Sequence, residues 1–186
     1  MDKIFAQFLN DIKKTKDLKE CYKVIDKYCA ENTDFEEKDL NLFKYKNIFI
    51  RTGKSINMEY NSQIIESLKK FNLSCAPEFI ESIKLNDEDM ILLTRVDGIE
   101  NDDFEYYMPI SDTITKENKQ KLAKDFETLA KKDLYNPVMV DSAREWFVIP
   151  KTKTIYIDKW NNLQIFQSQD EINEKRKALY ELCELD

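Results

Sequence analysis

The sequence contains no histidine and only two glycines, Gly53 and Gly98, among its 186 residues. Without histidine, the chain lacks the most common general base and the most common zinc ligand of proteins. With two isolated glycines, it cannot form a phosphate-binding loop built from several glycines. Enzyme classes that depend on either device are therefore excluded.

Neither the cysteines nor the apolar runs predict a metal site or a membrane segment. None of the four cysteines forms a CxxC pair, so neither a zinc site nor a thioredoxin-like motif is predicted, and we expect reduced thiols. No apolar run approaches the length of about 20 residues that crosses a bilayer. The N-terminus is too charged for a secretory signal. We therefore predict a cytoplasmic protein without a membrane segment.

Acidic residues outnumber basic ones by 36 to 29, which gives a net charge of −7. Nucleic-acid binding depends on basic patches that meet phosphates, so this balance argues against a nucleic-acid partner. Hydrophobic residues make up 42% and aromatic residues 12% of the chain, which is typical of a globular protein. We expect a protein partner, and the charge favours a basic one.

Helical spacing dominates the first part of the chain. Apolar residues in 2–14 form one stripe, and Thr15 is predicted to cap a second helix that extends to Cys29. Thr33 and Glu36 have the spacing of a capping box and predict a further short helical turn.

Strand patterns follow. Residues 42–51 are rich in β-forming side chains and predict one strand. A helix is predicted from Ser55. Pro77 ends helical structure and precedes a strand, and the turn 86–89 joins it to another strand as a hairpin.

The second half has the same mixture of elements. Thr115 is predicted to open a helix, and the runs PVMV, EWFVIP and TIYID predict three short strands. A final helix is predicted over 168–183. The whole pattern predicts an α+β protein.

The order strand, helix, strand, turn and strand in residues 47–98 resembles the small lobe of bacterial kinase-like folds of the aminoglycoside-phosphotransferase type. The resemblance implies that Arg51 is the basic residue that contacts nucleotide phosphates. It also implies that Glu59, on the following helix, is the carboxylate that pairs with it. ATP and magnesium would be the cofactors.

The resemblance continues to about residue 165. Asp141 takes the place of the aspartate that orients the acceptor. Asp158 lies seventeen positions later at a strand end, where the family has its metal-binding aspartate. The implied fold is a minimal two-lobed kinase-like fold with an N-terminal helical extension and a truncated large lobe. Its expected parts are N-terminal helices (1–40), a small β-rich lobe (41–98) and a helical lobe with a short hairpin (99–186).

The sequence departs from this family at catalytic positions. No glycine-rich loop precedes Arg51, and Trp146 stands five residues after Asp141, where the family has an asparagine that binds the second metal ion. The leading hypothesis is therefore a catalytically silent, kinase-like binding protein without a cofactor. A bacterial immunity protein that neutralises a basic toxin, or a modulator of a basic enzyme, is one form of it, with a partner-binding surface at Asp102, Asp103 and Glu105.

Two alternatives remain open. The first is a divergent ATP-dependent phosphotransferase of the effector-kinase kind, in which Arg51 holds phosphates, Asp158 holds magnesium and Asp141 orients the acceptor. The second is a structural subunit with a large apolar interface. The same residues also have ordinary interpretations: Arg51 and Glu59 as a surface ion pair, and the aspartates as turn or strand ends.

Overall fold

The structure is a computed structural model, and it describes residues 2–99, 114–141, 146–149, 151–157, 160 and 162–185. The chain divides into two compact units. Unit 1 comprises Met1–Gln63 and Glu78–Val96, and unit 2 comprises Ile64–Pro77 and Asp97–Asp186. Each unit is thus built from two separate stretches of the chain.

Unit 1 contains two helices followed by a five-stranded antiparallel sheet in the order β1-β2-β3-β5-β4. The central pairing is the long-range one between β3 and β5, in which Ile48 lies opposite Arg95. The bounds are α1 Lys3–Ile12, α2 Leu18–Glu31, β1 Phe35–Asp39, β2 Leu42–Tyr45, β3 Ile48–Lys54, β4 Glu78–Lys84 and β5 Asp89–Arg95. The predicted hairpin of β4 and β5 is confirmed.

Aspartates cap the two N-terminal helices. The carboxylate of Asp2 accepts the backbone N–H of Phe5 at 3.0 Å, and that of Asp17 accepts the N–H of Glu20 at 2.8 Å. The prediction that Thr15 caps α2 is wrong, because its hydroxyl donates to the Ile12 carbonyl at 2.7 Å and so closes the end of α1. A threonine hydroxyl can accept from a free N–H at a helix start or donate to a nearby carbonyl, so its position in the sequence does not decide between the two.

Two further local predictions in unit 1 are corrected by pairing across the sheet. Residues 33–36 do not form a helical turn, because Phe35 begins β1 and pairs with Tyr45. Residues 42–51 are not one strand but the hairpin of β2 and β3. Its turn contains Lys46, whose φ of 53° lies in the left-handed region. Because of this turn, the residues after it point to the opposite sheet face from the one expected for a single continuous strand.

The core of unit 1 lies between the two helices and one face of the sheet. Aromatic rings connect the layers: Phe5 stacks on Tyr45 with centroids 5.1 Å apart, and Phe8 lies 4.9 Å from Phe35. Such pairs add stability beyond the burial of their area. The buried cluster comprises Phe5, Phe8, Leu9, Ile12, Cys21, Ile25, Tyr28, Phe35, Phe43, Tyr45, Ile48, Ile50, Ile83, Ile91 and Leu93. The N-terminal helices are therefore part of this unit.

Asp89 fastens α2 to the β4–β5 hairpin. One carboxylate oxygen accepts the backbone N–H of Leu18 and the Nδ2 of Asn86, each at 3.1 Å, and the other accepts Lys54 Nζ at 2.8 Å. Asp89 is 6% exposed. The hydrogen bond from Lys54 is the main reason that the pKa of the Asp89 carboxyl lies below its usual range.

The chain passes from unit 1 to unit 2 within α3, which runs from Ser55 to Leu68 as predicted from Ser55. Unit 2 then combines helices with short antiparallel strand pairs, β6 with β9 and β7 with β8. Its bounds are α4 Lys116–Ala130, β6 Leu134–Tyr135, α5 Pro137–Asp141, β7 Phe147–Val148, β8 Ile155–Tyr156, β9 Gln164–Ile165 and α6 Gln169–Cys183. The predicted α+β class is confirmed.

Helix capping in unit 2 follows the sequence signals in two cases and corrects one prediction. Thr115 caps α4 and Ser168 caps α6. The run PVMV, predicted as a strand, is instead the helix α5. The side-chain oxygen of Asn136 accepts the Val138 N–H at 3.0 Å, and Pro137 occupies the first helical position, where it has no hydrogen bond to lose.

A buried carboxylate organises the interior of unit 2. Asp125 on α4 accepts the Ser74 hydroxyl at 2.7 Å and the backbone N–H of Cys75 at 2.9 Å. The Cys75 carbonyl in turn accepts the Ile157 N–H at 2.8 Å. Burial raises the pKa of Asp125 in spite of these hydrogen bonds, which favour the ionised form.

Candidate functional site

Arg51 lies on β3, opposite Leu42 on one side and Leu92 on the other, and its side chain is partly exposed. Glu59 is exposed on the first half of α3. Among the described residues, no ion pair joins Arg51 to Glu59. A contact of either side chain with nucleotide phosphates stays a prediction.

A second cation lies on the same face of the sheet as Arg51. Lys44 on β2 is opposite Phe49 and is only 1% exposed. Arg51 follows Phe49 by two residues, so the two cations are diagonal neighbours, with Cβ atoms roughly 7–8 Å apart. A buried ammonium group is tolerated only where it meets anionic or hydrogen-bonding atoms. Both cations already have partners in the protein, and of the two only Arg51 is partly open to solvent.

Lys44 was not predicted as a site residue because residues 42–51 were predicted to form one strand. In one continuous strand, positions 44 and 51 would point to opposite faces, since they differ by an odd number. The turn at Lys46 places them on one face. An alternating pattern interrupted at residues 46 and 47 was the signal that could have revealed the hairpin.

Asp141 is the last residue of the five-residue helix α5, not part of a loop as predicted. Its carboxylate accepts Lys175 Nζ from α6 at 3.3 Å. Partial burial is the largest single influence on the pKa of Lys175 and lowers it. The hydrogen bond to Asp141, the charge of that carboxylate and the nearby Tyr135 and Glu174 together outweigh burial, so the pKa is raised. The same ammonium lies 5.9 Å above the ring of Tyr135. Asp141 is thus held by a cation of its own unit.

Trp146 is a core residue. It is 1% exposed, and its indole N–H donates to the Val138 carbonyl at 2.8 Å. An indole has a donor and no acceptor, so this side chain has nothing to offer a metal ion. Trp160 is buried in the same way, with its N–H on the Ile157 carbonyl at 2.7 Å. Both tryptophans are therefore buried core residues.

Four predicted site residues lie outside the described residues: Asp158, Asp102, Asp103 and Glu105. Within the described ranges, no three histidine, cysteine or acidic side chains group together in a way that could hold a metal ion. In those same ranges, no helix combines the length and the apolar character needed to cross a membrane.

The two units offer different chemistry. Unit 1 places two cations, Lys44 and Arg51, on one sheet face, and both have partners in the protein. Unit 2 presents a carboxylate, Asp141, that is already engaged by Lys175. A general base must reach the proton that it removes, and one oxygen of the Asp141 carboxylate is occupied by the Lys175 ammonium.

No known family matches the chain, and no curated protein matches it either. Among solved structures, it is similar to the kinase PK-1 of Cydia pomonella granulovirus, with 13% identity and a TM-score of 0.44 over 79% of this chain and 61% of that one. It is also similar to vaccinia related kinase 3, with 12% identity and a TM-score of 0.44 over 70% of this chain and 47% of that one. The chain thus spans less than two thirds of either kinase, and its activity has to be proposed from its own residues.

Proposed function

We propose that this chain is a catalytically silent, kinase-like protein that acts by binding another protein. The observation that carries the proposal is the burial of Trp146. The resemblance gives this position to a metal ligand, and here it holds a 1% exposed indole whose only polar atom is bound to the Val138 carbonyl. Phosphoryl transfer depends on metal ions that bridge the phosphates, and this side chain cannot contribute to one.

The state of Asp141 supports the same proposal. In an active enzyme of this kind, the aspartate orients the acceptor hydroxyl. Here it ends a short helix and is bound to Lys175 at 3.3 Å. The Lys175 ammonium already occupies one oxygen of this carboxylate, so an incoming hydroxyl would compete with an ion pair.

The net charge of −7 supports a basic protein partner, such as a toxin that this chain would neutralise as an immunity protein. We assign the contact to Asp102, Asp103 and Glu105. Reversing these three charges should slow association with such a partner and weaken the salt dependence of the association rate. Unchanged association kinetics would remove this segment from the interface.

The alternative function is a divergent ATP-dependent phosphotransferase with magnesium held by Asp158. Lys44 and Arg51 favour it, since two cations on one sheet face could hold phosphate oxygens. Arginine is not equivalent to the lysine of active kinases, because its planar fork binds oxygens in pairs. The same two cations could also hold a nucleotide without any chemistry.

A thermal-shift titration with ATP, with and without magnesium, separates these functions. Ligand that binds only the folded chain at a hundred times its Kd stabilises it by about 2.7 kcal/mol. We expect no magnesium-dependent rise in melting temperature and no transfer of labelled phosphate. A magnesium-dependent rise and phosphate transfer that both vanish in Asp158→Ala would establish the phosphotransferase instead. A rise without magnesium that is lost in Lys44→Met would show nucleotide binding by a silent protein.

A further inference from the structure

An open groove of about 350 Å³ lies between α4 and α6 in unit 2. The residues that line it come from α4 and from the end of α6 and the residues after it: Lys116, Gln120, Ala123, Lys124, Glu127, Tyr180 and Leu185. The members from α4 follow one another at intervals of one, three or four residues, so they form one stripe along the helix. The lining is therefore one continuous surface, which we call the α4–α6 groove.

Ion pairs between the two helices fix the walls of the groove. Arg176 of α6 donates to both carboxylate oxygens of Glu127 on α4, at 2.5 and 2.9 Å. Lys119 of α4 donates to the carboxylate of Glu184, the residue after α6, at 2.8 Å. A two-bond contact between arginine and a carboxylate is geometrically specific. The walls therefore need little further ordering when a ligand binds.

The groove has an excess of positive charge, although the whole chain is acidic. Among the residues that the structure describes, the ammonium groups of Lys116 and Lys124 have no ion-pair partner. Glu127, the one carboxylate of the lining, is already neutralised by Arg176. The acidic side chains closest to the groove have cations of their own: Glu117 pairs with Lys121, Glu181 with Lys177 and Glu184 with Lys119.

The other acidic side chains of the two helices lie away from the groove. Asp125 of α4 is turned into the interior of unit 2, where it binds Ser74 and Cys75. The acidic residues in the first two turns of α6 precede Tyr180 by six or more positions, about 9 Å or more along the helix axis. They are Asp170, Glu171 and Glu174. The two free lysines therefore decide the local sign of the charge, which attracts anionic groups.

Neutral polar groups of the lining have room for hydrogen bonds. The amide of Gln120 and the hydroxyl of Tyr180 form no hydrogen bond with other residues that the structure describes. A side-chain amide can both donate to and accept from a peptide group. Ala123 is 4% exposed and has the smallest side chain of the lining, and Leu185 adds an apolar contact. The groove thus offers partners for a peptide backbone as well as for charges.

The spacing of the two free lysines fits an extended peptide. Lys116 and Lys124 are eight residues apart on α4, which is about 12 Å along the helix axis. In an extended chain, residues four positions apart are separated by about 13 Å and point to the same side. A five-residue segment with an acidic residue at each end therefore matches both lysines.

We infer that the α4–α6 groove binds an extended acidic peptide segment of a partner protein. One carboxylate of the segment meets Lys116, the other meets Lys124, and its backbone bonds to Gln120 and Tyr180. The inference goes beyond the proposed function, because it assigns to unit 2 a partner of the opposite charge. It does not depend on whether the chain is catalytically silent.

The test uses the full chain and a peptide of sequence Glu-Ala-Leu-Ala-Glu, blocked at both ends, as the probe. Affinity is measured from the amide chemical shifts of the isotope-labelled chain during a titration, which also locate the bound peptide. The shifts should change along Lys116–Glu127 and at Tyr180. The neutral peptide Gln-Ala-Leu-Ala-Gln should not bind, because the lysines would have no charge to meet.

Charge reversal separates the two lysines from the rest of the surface. Loss of one exposed ion pair changes an affinity by up to about fivefold, and reversal adds repulsion. Lys116→Glu and Lys124→Glu should therefore each weaken binding about fivefold or more. Lys132→Glu is the matched control, since it changes the net charge equally at an exposed position beyond α4 and should keep the wild-type affinity. All three lysines are exposed, so the melting temperature should stay the same.

The inference is overturned if the acidic peptide does not bind, if the shifts lie outside the groove, or if Lys132→Glu weakens binding as much as Lys116→Glu does. Glutarate, a free dicarboxylate, should displace the peptide only at much higher concentration. Displacement at equal concentration would assign the groove to a small dianion and overturn the peptide as its occupant. Magnesium-dependent phosphate transfer in the titration described above would overturn the proposed function and leave the groove as inferred.

Discussion

Replacing Asp89 by alanine should destabilise unit 1 by about 3–6 kcal/mol. A hydrogen bond to a charged group contributes about 1.5–3 kcal/mol, and Asp89 accepts two such bonds from the buried side, from Leu18 and Asn86. The third partner, Lys54, is 58% exposed at its side chain, so solvent screens that ion pair and it contributes little to stability. The loss is large beside the 5–15 kcal/mol that is usual for a folded domain.

The ranking of several variants by their loss of stability tests this explanation better than one unfolding free energy does. Asp89→Asn keeps an oxygen that can accept from Leu18 and should cost about 1–2 kcal/mol. Lys54→Met and Glu88→Ala change only exposed groups and should each lower stability far less than Asp89→Ala does. If Lys54→Met is as damaging as Asp89→Ala, the ion pair and not the link to α2 holds the hairpin.

The assay must report on unit 1. Both tryptophans, Trp146 and Trp160, belong to unit 2, so their fluorescence follows the other unit. Urea unfolding followed by circular dichroism, with hydrogen exchange at the Leu18 amide, measures the effect directly. A loss below about 1 kcal/mol in Asp89→Ala with the Leu18 amide still protected would refute the assignment.

The pH dependence of Asp89 provides a second check. Its pKa is lowered in the folded state, so the stabilisation is present above the unfolded value of about 4 and is lost as the pH falls through the folded value. The difference in stability between the wild type and Asp89→Asn should therefore be full near neutral pH and should shrink in acid.

Three further predictions concern Asp125, the cysteines and Gly98. Burial raises the pKa of Asp125, so the wild type should lose stability as the pH rises from about 4 through the folded value; Asp125→Asn should remove this slope in urea unfolding followed by tryptophan fluorescence. Of the four free cysteines, only Cys29 is partly exposed, so Ellman's reagent should label one thiol in the native chain and none in Cys29→Ser. Gly98 has a φ of 85°, and a Cβ there would lie 2.5 Å from Thr152 Cγ2, so Gly98→Ala should lower the unfolding free energy of unit 2 by about 2 kcal/mol or more. A wild-type pH slope in Asp125→Asn, labelling of a second native thiol or wild-type stability in Gly98→Ala would contradict the respective prediction.

Strong local signals were enough to predict several elements. Thr115 was identified as the cap of α4 because a hydroxyl before a helical pattern satisfies a free N–H, and the structure has that bond. The β4–β5 hairpin followed from two β-rich runs around a polar turn, in which Asn86 accepts backbone N–H groups of Glu88 and Asp89. In both cases, the decisive interactions lie within a few residues.

Predictions failed where distant contacts decide the structure. Thr33 and Glu36 have capping-box spacing, yet Phe35 is drawn into the sheet by Tyr45, to which its ring lies 4.4 Å away. The run PVMV failed for a local reason instead: Asn136 before it and Pro137, its first residue, form a helix-start signal that outweighs its β-forming side chains. The burial of Lys44 could not be read from the sequence because it depends on the pairing of β2 with β3.

Stretches of the two units alternate along the sequence, and this order affects folding during synthesis on the ribosome. β3 gains its second neighbour only when β5 has been made, and residues 64–77, which belong to unit 2, are translated in between. The N-terminal helices and the first three strands therefore wait with β3 as an open edge, a state that invites pairing with other chains. Nascent chains stalled before Arg95 should be protease-sensitive throughout, and protection should arise in one step once the β4–β5 hairpin has emerged. Unit 1 can therefore complete its sheet only after Asp89–Arg95 has been translated, although α1 already ends at Ile12.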